Sequence, residues 1–356
     1  MKNDLKFGFV ACAAGVPGTT DARLYRDLVD DCEHNLGLGY ESVWLIEHHF
    51  SDYFPTPSPL LMLSHLAARF PLAELGTCVL VLPWQDPLRT AEEVAMLSLL
   101  TKQKLHLGIG RGTAKYEYDA FGLDMDASRS LFREHYEVID SALRGQPFQY
   151  QGNHVTMPKR VRLRPEARAE NVQFYGAIGS PESAGMMANL GLPPICTSVG
   201  NLDAQVATLR SWKEVASTRG VDPDNAFPIM INCIIADTDE QAIAEAQQQI
   251  PAFMRAQIDH YTPHETNWED IPSYAGWRGM FAGMKRMTDP ANIPAWTEWQ
   301  LIGSPETVRQ KAQKFIDAGF NHFLLHTATP GVPVADRRRW LRRFATEVIP
   351  ELSVTN

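Results

Sequence analysis

Paired cysteines are missing from this chain. Its five cysteines, Cys12, Cys32, Cys78, Cys196 and Cys233, are odd in number, scattered and never spaced CxxC, which leaves no disulfide framework and no cysteine zinc site. Four of them sit in apolar, strand-like runs, where cysteine behaves as a small buried hydrophobe. A reducing, cytoplasmic location is the expectation. Excess positive charge is missing too. With 33 Lys and Arg against 42 Asp and Glu, the net charge of −9 argues against a nucleic-acid partner, whose phosphates need a basic surface. The one basic run, Arg337 to Arg339 with Arg342 and Arg343, falls in an amphipathic helical pattern and reads as a solvated helix face. No apolar run is long enough to span a bilayer, and the N-terminus enters a strand pattern without an apolar signal segment, so no membrane partner is expected. Gly108, Gly110 and Gly112 are spaced GxGxG rather than GxGxxG, with no helix directly after them, which weighs against a dinucleotide-binding turn.

What the chain does have is alternation. Apolar strand-like runs occur at Leu5 to Ala11, Glu41 to Ile46, Leu75 to Leu82, Lys104 to Ile109, Val172 to Ile178, Ile195 to Ser198, Pro228 to Ala236 and Phe320 to His326. Amphipathic helical patterns separate them, and Phe148 to Met157 reads as a small hairpin around Gly152-Asn153. Eight such units demand parallel pairing with right-handed crossovers and predict one (β/α)8 TIM-barrel domain over 1–356; a doubly wound open sheet is the alternative. One stretch, about 260–300 between the seventh and eighth units, is too long for a connection and is rich in Trp and Met. It is expected to be a lid insertion over an apolar pocket, with an extra helical layer as the plainer reading.

Barrel enzymes place their chemistry at the C-terminal ends of the strands. Here those ends carry Glu47-His48-His49-Phe50, Gly108 to Gly112 and Gly176 to Ser180. The last runs into a helix with Ser183 in its first turn. A helix N-terminus attracts phosphate, with Gly179 allowing close approach and the Ser180 and Ser183 hydroxyls as donors; simple capping by Ser180 before Pro181 accounts for the same residues. Arg111, between two glycines at a strand end, and Arg129, at a helix start, add two guanidinium groups suited to a phosphate monoester. Side chains missing at Gly108 and Gly110 would leave a smooth surface for a flat ring. His48 and His49 must point to opposite sides, so one at most faces the pocket. His322 and His326, four apart on the last strand, keep a metal reading open.

Together Val43 to Phe50, Gly76-Thr77 through Val81-Leu82-Pro83, Gly108 to Gly112, Phe121 to Arg129, Gly191-Leu192-Pro193, Trp277-Arg278 and Gly303 to Glu306 run in order over nearly the whole chain. In these segments the sequence resembles the bacterial-luciferase-like flavin-dependent monooxygenases, nearest to the luciferase α-subunit type. The resemblance implies FMN lying across the strand ends in its reduced form. Arg111, Arg129, Ser180 and Ser183 would hold its phosphate with the Gly179 and Ser180 amides. Ile178, Gly110 and Thr113 would lie beside the cofactor. A cis peptide would fall at Cys78-Val79, under the ring. His48 would be the catalytic histidine, managing a proton on a flavin hydroperoxide or on the substrate. Glu117 and Trp277 would line the substrate pocket. The partners implied are O2, a small apolar aldehyde or ketone, a separate flavin reductase and a second copy of the chain as a homodimer; no metal is implied. Gly110 stands where the family's luciferases carry a cysteine, and Gly179 where they carry an acid, which puts light emission in doubt. A deazaflavin-dependent oxidoreductase and a non-catalytic flavin-binding protein remain the alternatives.

Overall fold

The computed structural model describes residues 5–197, 200–222, 227–262, 266, 268–274 and 277–353. Its strands are β1 (Lys6–Ala11), β2 (Ser42–Leu45), β3 (Glu74–Val81), β4 (Leu105–Gly110), β5 (Phe148–Gln151), β6 (Thr156–Val161), β7 (Val172–Ile178), β8 (Pro194–Thr197), β9 (Pro228–Ile235), β10 (Leu301–Gly303) and β11 (His322–His326). Eight of them, β1, β2, β3, β4, β7, β8, β9 and β11, pair in parallel in a closed ring, with the β8–β9 contact sealing it. The barrel expectation therefore holds and the open sheet does not. β5 and β6 form the expected hairpin, although its second arm reaches Val161, beyond Met157. β10 was not legible: three residues long, it adds a ninth parallel strand outside the ring, on β9.

Among the described residues twelve α-helices connect or cover these strands: α1 (Asp21–Leu36), α2 (Pro59–Arg69), α3 (Pro87–Leu100), α4 (Lys115–Ala120), α5 (Ser128–Leu143), α6 (Pro181–Asn189), α7 (Leu202–Arg219), α8 (Asp239–Tyr261), α9 (Trp277–Arg286), α10 (Ile293–Thr297), α11 (Pro305–Asp317) and α12 (Val334–Arg343). Their starts follow local chemistry. Ser58, Asp86, Ser180 and Ser304 accept the N–H three residues on, each with proline at the first helical position, where a missing donor costs nothing. α5 buries Leu131, Phe132, His135, Val138, Ile139 and Ala142, a stripe at three- and four-residue spacing that packs on the barrel wall.

The barrel interior is filled rather than hollow. Trp44, His106, Tyr175 and His322 form a layer of rings, with Trp44 stacked on His106 at 5.2 Å and edge-on to His322 at 5.5 Å. Polar atoms in the layer are matched in part: Ser42 Oγ lies 3.0 Å from His322 Nε2 and accepts from Trp44 Nε1, while His322 Nδ1 has no hydrogen-bond partner. His326, one turn of the layering higher, faces Cys12 Sγ at 3.7 Å and the ring of Phe54. His322 and His326 thus share the inward face as their spacing predicted, but each is absorbed into packing with its own neighbours, and burial pushes both below the ordinary imidazole range, His326 to about 4.

The basic run near the C-terminus also departs from its expected role. Arg337 is buried, pairs with the buried Asp31 of α1 and donates to the Ala14 carbonyl just beyond β1, so it joins the last helix to the first unit. Arg338 shares Asp31, while Arg339 pairs with Glu245 and Asp336 and Arg343 with Asp237 and Glu347. Among the described residues no helix is long and apolar enough to cross a membrane.

Candidate active site

Four strand ends and the insertion converge at one mouth of the barrel. At the β2 end, Glu47 is fully buried and accepts hydrogen bonds from the Val81 N–H at 2.7 Å and the Gln85 side chain at 2.7 Å, with His49 Nε2 3.0 Å away. That fixes the turn and sends His48 the other way, as alternation requires. His48 packs its ring against Tyr53 at 4.7 Å and against His260, at the end of α8, at 4.6 Å. Its Nδ1 lies 3.5 Å from Glu117 Oε1, and His260 Nε2 lies at the same distance from that oxygen. Glu117 is held from the other side by the His49 N–H at 2.6 Å. Burial works to raise the Glu117 carboxyl, but His260 and His48 outweigh it and bring it down to about 2. Burial likewise lowers His48, and Glu117 only partly offsets this. The resting arrangement is an enclosed carboxylate facing two imidazoles.

The β3 and β4 ends form the floor. The Cys78-Val79 peptide is cis, as the resemblance implies, and the β3–β4 register shifts there between Cys78 and Leu80. The two β4 glycines have a different purpose from the expected smooth platform. A Cβ on Gly110 would stand 2.6 Å from Val79 Cγ2, and one on Gly108 would run into the Thr77 carbonyl. β3 fills both gaps, so the glycines permit close strand approach. Val79 rather than bare backbone tops this part of the floor. Thr113, just past β4, is half-buried.

The β7 end and α6 form a cradle of backbone amides and serine hydroxyls. Ser180 and Ser183 make a reciprocal capping box, and the Gly179 and Ser180 amides both donate to Ser183 Oγ at 3.0 Å. Ile178 is buried beneath them, whereas Gly179 and Ser180 are exposed, and nothing stands within 4 Å of a Cβ position on Gly179. Arg129 projects here and forms an ion pair with Glu182, in the first turn of α6. Arg129 and, at longer range, Arg111 together hold the Glu182 carboxyl below its ordinary range, so both guanidinium groups act on one spot. Arg111 has no carboxylate partner among the described residues. Its guanidinium lies over the Tyr274 ring at 4.7 Å and reaches Ser128 Oγ at 3.4 Å.

Tyr274 belongs to the insertion, and so does the cover of this cradle. The Tyr274 hydroxyl donates to the Gly112 carbonyl at 2.7 Å, and the Ser273 carbonyl accepts from Arg129 at 3.4 Å. Trp268, Ile271, Tyr274 and Phe281 pack with Tyr118 and Met125 in a separate apolar cluster above the strand ends. Trp296 and Ile293 instead pack with α8 and the barrel. The insertion therefore serves partly as cover and partly as an added layer. Trp277 opens α9, and its side chain lies outside the described residues.

Of the residues singled out in the sequence, Arg111, Arg129, Gly179, Ser180 and Ser183 meet at the cradle, while His48 and Glu117 meet across the mouth. Sequence reading missed Glu182, Tyr274 and His260. Glu182 looked like an ordinary first-turn acid, and His260 only marked where the insertion begins.

This architecture is shared. The family model described as luciferase-like monooxygenase matches residues 6–322. An uncharacterised Sinorhizobium fredii protein, y4wF, is 32% identical over 239 residues, covering 67% of this chain and 69% of its own length. The alkanal monooxygenase alpha chain of Aliivibrio fischeri is 24% identical over 363 residues, covering 98% and 99%. Among solved structures, the oxygenating constituent of 3,6-diketocamphane monooxygenase from Pseudomonas putida, in complex with FMN, superposes with a TM-score of 0.76 at 18% identity, covering 99% of this chain and all of that one. A closed parallel barrel with its polar groups gathered at one mouth, matched by that family model from the first strand to the last, makes this chain a member of the luciferase-like monooxygenase family of flavin-dependent enzymes.

Proposed function

We propose that the protein is a monooxygenase that takes reduced FMN from a separate reductase and oxidises a small apolar aldehyde or ketone. The observation that supports this most is Arg111: a half-buried guanidinium with no carboxylate of its own among the described residues, beside a second arginine and the exposed, serine-capped first turn of α6. A half-buried cation without a counter-charge is costly, and a phosphate monoester supplies the missing charge and paired acceptor oxygens. The residues fit such a group. Gly179 leaves room, Ser180 is exposed, and what must yield, the Arg129–Glu182 pair and the Gly179 and Ser180 amide bonds to Ser183 Oγ, is solvent-accessible.

Reduced flavin supplies the two electrons needed to turn one oxygen atom of O2 into water while the other enters the substrate. The chain does the rest. Arg111, Arg129, Ser180 and Ser183 anchor the phosphate and thereby set where the ring falls. Val79 and Gly110 form its support. His48, enclosed by Tyr53 and Glu117, would take or give a proton on the substrate. The layer of Trp268, Tyr274 and Phe281 keeps bulk water from the reacting centre. A homodimer is part of the same proposal.

Two measurements test it. Titration with FMN and with riboflavin should show that the phosphate contributes most of the affinity. Oxygen uptake with reduced FMN should then become coupled to product for some member of an aldehyde and ketone series. Equal affinity for FMN and riboflavin would remove the cradle from the argument.

A further inference from the structure

His48, Glu117 and His260 reach one point from three separate elements, the β2 end, α4 and the end of α8, and their ligand atoms all lie within 4.8 Å of one another. The geometry points to a divalent transition-metal site there, of the two-histidine, one-carboxylate kind. It lies outside the phosphate cradle and does not depend on the flavin reading.

Distances come first. A tetrahedral ion with bonds of about 2.0–2.2 Å sets neighbouring ligand atoms about 3.3–3.6 Å apart. Both imidazole nitrogens stand 3.5 Å from Glu117 Oε1. Direct N–H···O bonds are shorter, about 2.7–3.2 Å, so these contacts are wide for hydrogen bonds and right for an ion between them.

Satisfaction comes second. His48 Nδ1, His260 Nε2 and Glu117 Oε2 are all buried and lack a hydrogen-bond partner. The Glu117 and His260 side chains are fully enclosed. Buried polar atoms are almost always paired, and three orphans at one point leave a place for a cation.

The outer contacts complete the pattern. Ser51 Oγ lies 2.7 Å from His260 Nδ1 and has a lone pair to receive the His260 Nδ1–H. That tautomer aims a bare Nε2 lone pair at Glu117, as a metal ligand must. The His49 N–H fixes the carboxylate from behind at 2.6 Å. Ligating histidines and carboxylates are oriented by such partners, whose loss lowers affinity roughly 10–100-fold. Two nitrogens and one oxygen select Zn2+, Co2+ or Ni2+ over Mg2+ or Ca2+. An ion on Nδ1 leaves His48 with only an Nε2–H, a donor and no longer a base, so occupancy would silence His48 while the cradle still binds phosphate.

Metal-free, flavin-free protein titrated with Zn2+ by calorimetry should take up one equivalent, reversed by a chelator, and Co2+ should give the visible absorption of a four-coordinate ion. His260→Ala should bind at least tenfold more weakly, and Ser51→Ala about tenfold more weakly. Zn2+ should raise the melting temperature of the native protein and raise it less in either variant, a comparison that each variant answers only if it folds, as its own melting transition shows. Absence of one-equivalent binding by the native protein, or binding untouched by both substitutions, overturns the site. Because no flavin is present, neither result bears on the phosphate cradle.

Discussion

Glu182 occupies the cradle that the cofactor's phosphate would need, and removing its charge should tighten FMN binding. Its pair with Arg129 is exposed on both sides, 36% for the arginine and 67% for the glutamate, so breaking it costs only about 0.2–1 kcal/mol. Once displaced, the carboxylate stays near the incoming dianion. At about 7 Å in water, one negative charge against two repels by about 1 kcal/mol, and physiological salt screens away more than half. The two contributions sum to about 1 kcal/mol, so Glu182→Gln should lower the FMN dissociation constant about fivefold. Flavin fluorescence quenching reads this directly, with riboflavin as the control that lacks the phosphate. The gain should appear for FMN, be absent for riboflavin, and shrink as salt rises. An opposite role for Glu182, holding Arg129 in position for the phosphate, gives weaker FMN binding. That result, or an equal effect on riboflavin, would refute the reasoning.

Other substitutions read the remaining parts. Arg111→Ala should weaken FMN binding by about 1.5–3 kcal/mol, roughly 10–100-fold, with riboflavin little affected, because a charge-assisted contact is lost at a site without a substitute cation. His48→Ala should still bind flavin but uncouple oxygen uptake from product; full coupled activity would remove the histidine from the reaction. A third test concerns stability. Burial would raise the Glu74 carboxyl, yet His106 Nε2 at 2.9 Å and Lys6 Nζ at 2.9 Å outweigh it and bring it to about 2. Its folded pKa lies below the ordinary value of 4.5, so its stabilisation is complete above that value and fades as pH falls toward 2. Urea unfolding should therefore show Glu74→Gln destabilised by about 1–3 kcal/mol at pH 7, with the gap to the native protein closing between pH 4.5 and 2. A gap that stays constant with pH would show that packing, not charge, is at stake.

The barrel was legible because each of its eight strands carries enough apolar residues to be buried on both sides, and because local chemistry marks the helix starts. The cradle was legible for the same local reason: Gly179, Ser180 and Ser183 lie together in sequence, and Arg111 stands oddly between glycines. What could not be read were contacts made by closure of the ring. His260 meets Glu117 only because α8 returns over the mouth, and Tyr274 meets Arg111 only because the insertion folds back on the β4 end. β10 escaped notice because three residues carry no periodicity. The β4 glycines were misjudged since sequence shows a missing side chain but not which neighbour fills the space.

Burial of Arg337 against Asp31 and the Ala14 carbonyl has a consequence for how the molecule is made. The acid leaves a ribosome long before its guanidinium partner, and β1 likewise waits for β11 to cover its open edge. Throughout synthesis the leading unit must carry an uncompensated carboxylate and a bare strand margin. Trimming the chain before residue 337 should therefore unfasten the unit built on β1 and α1.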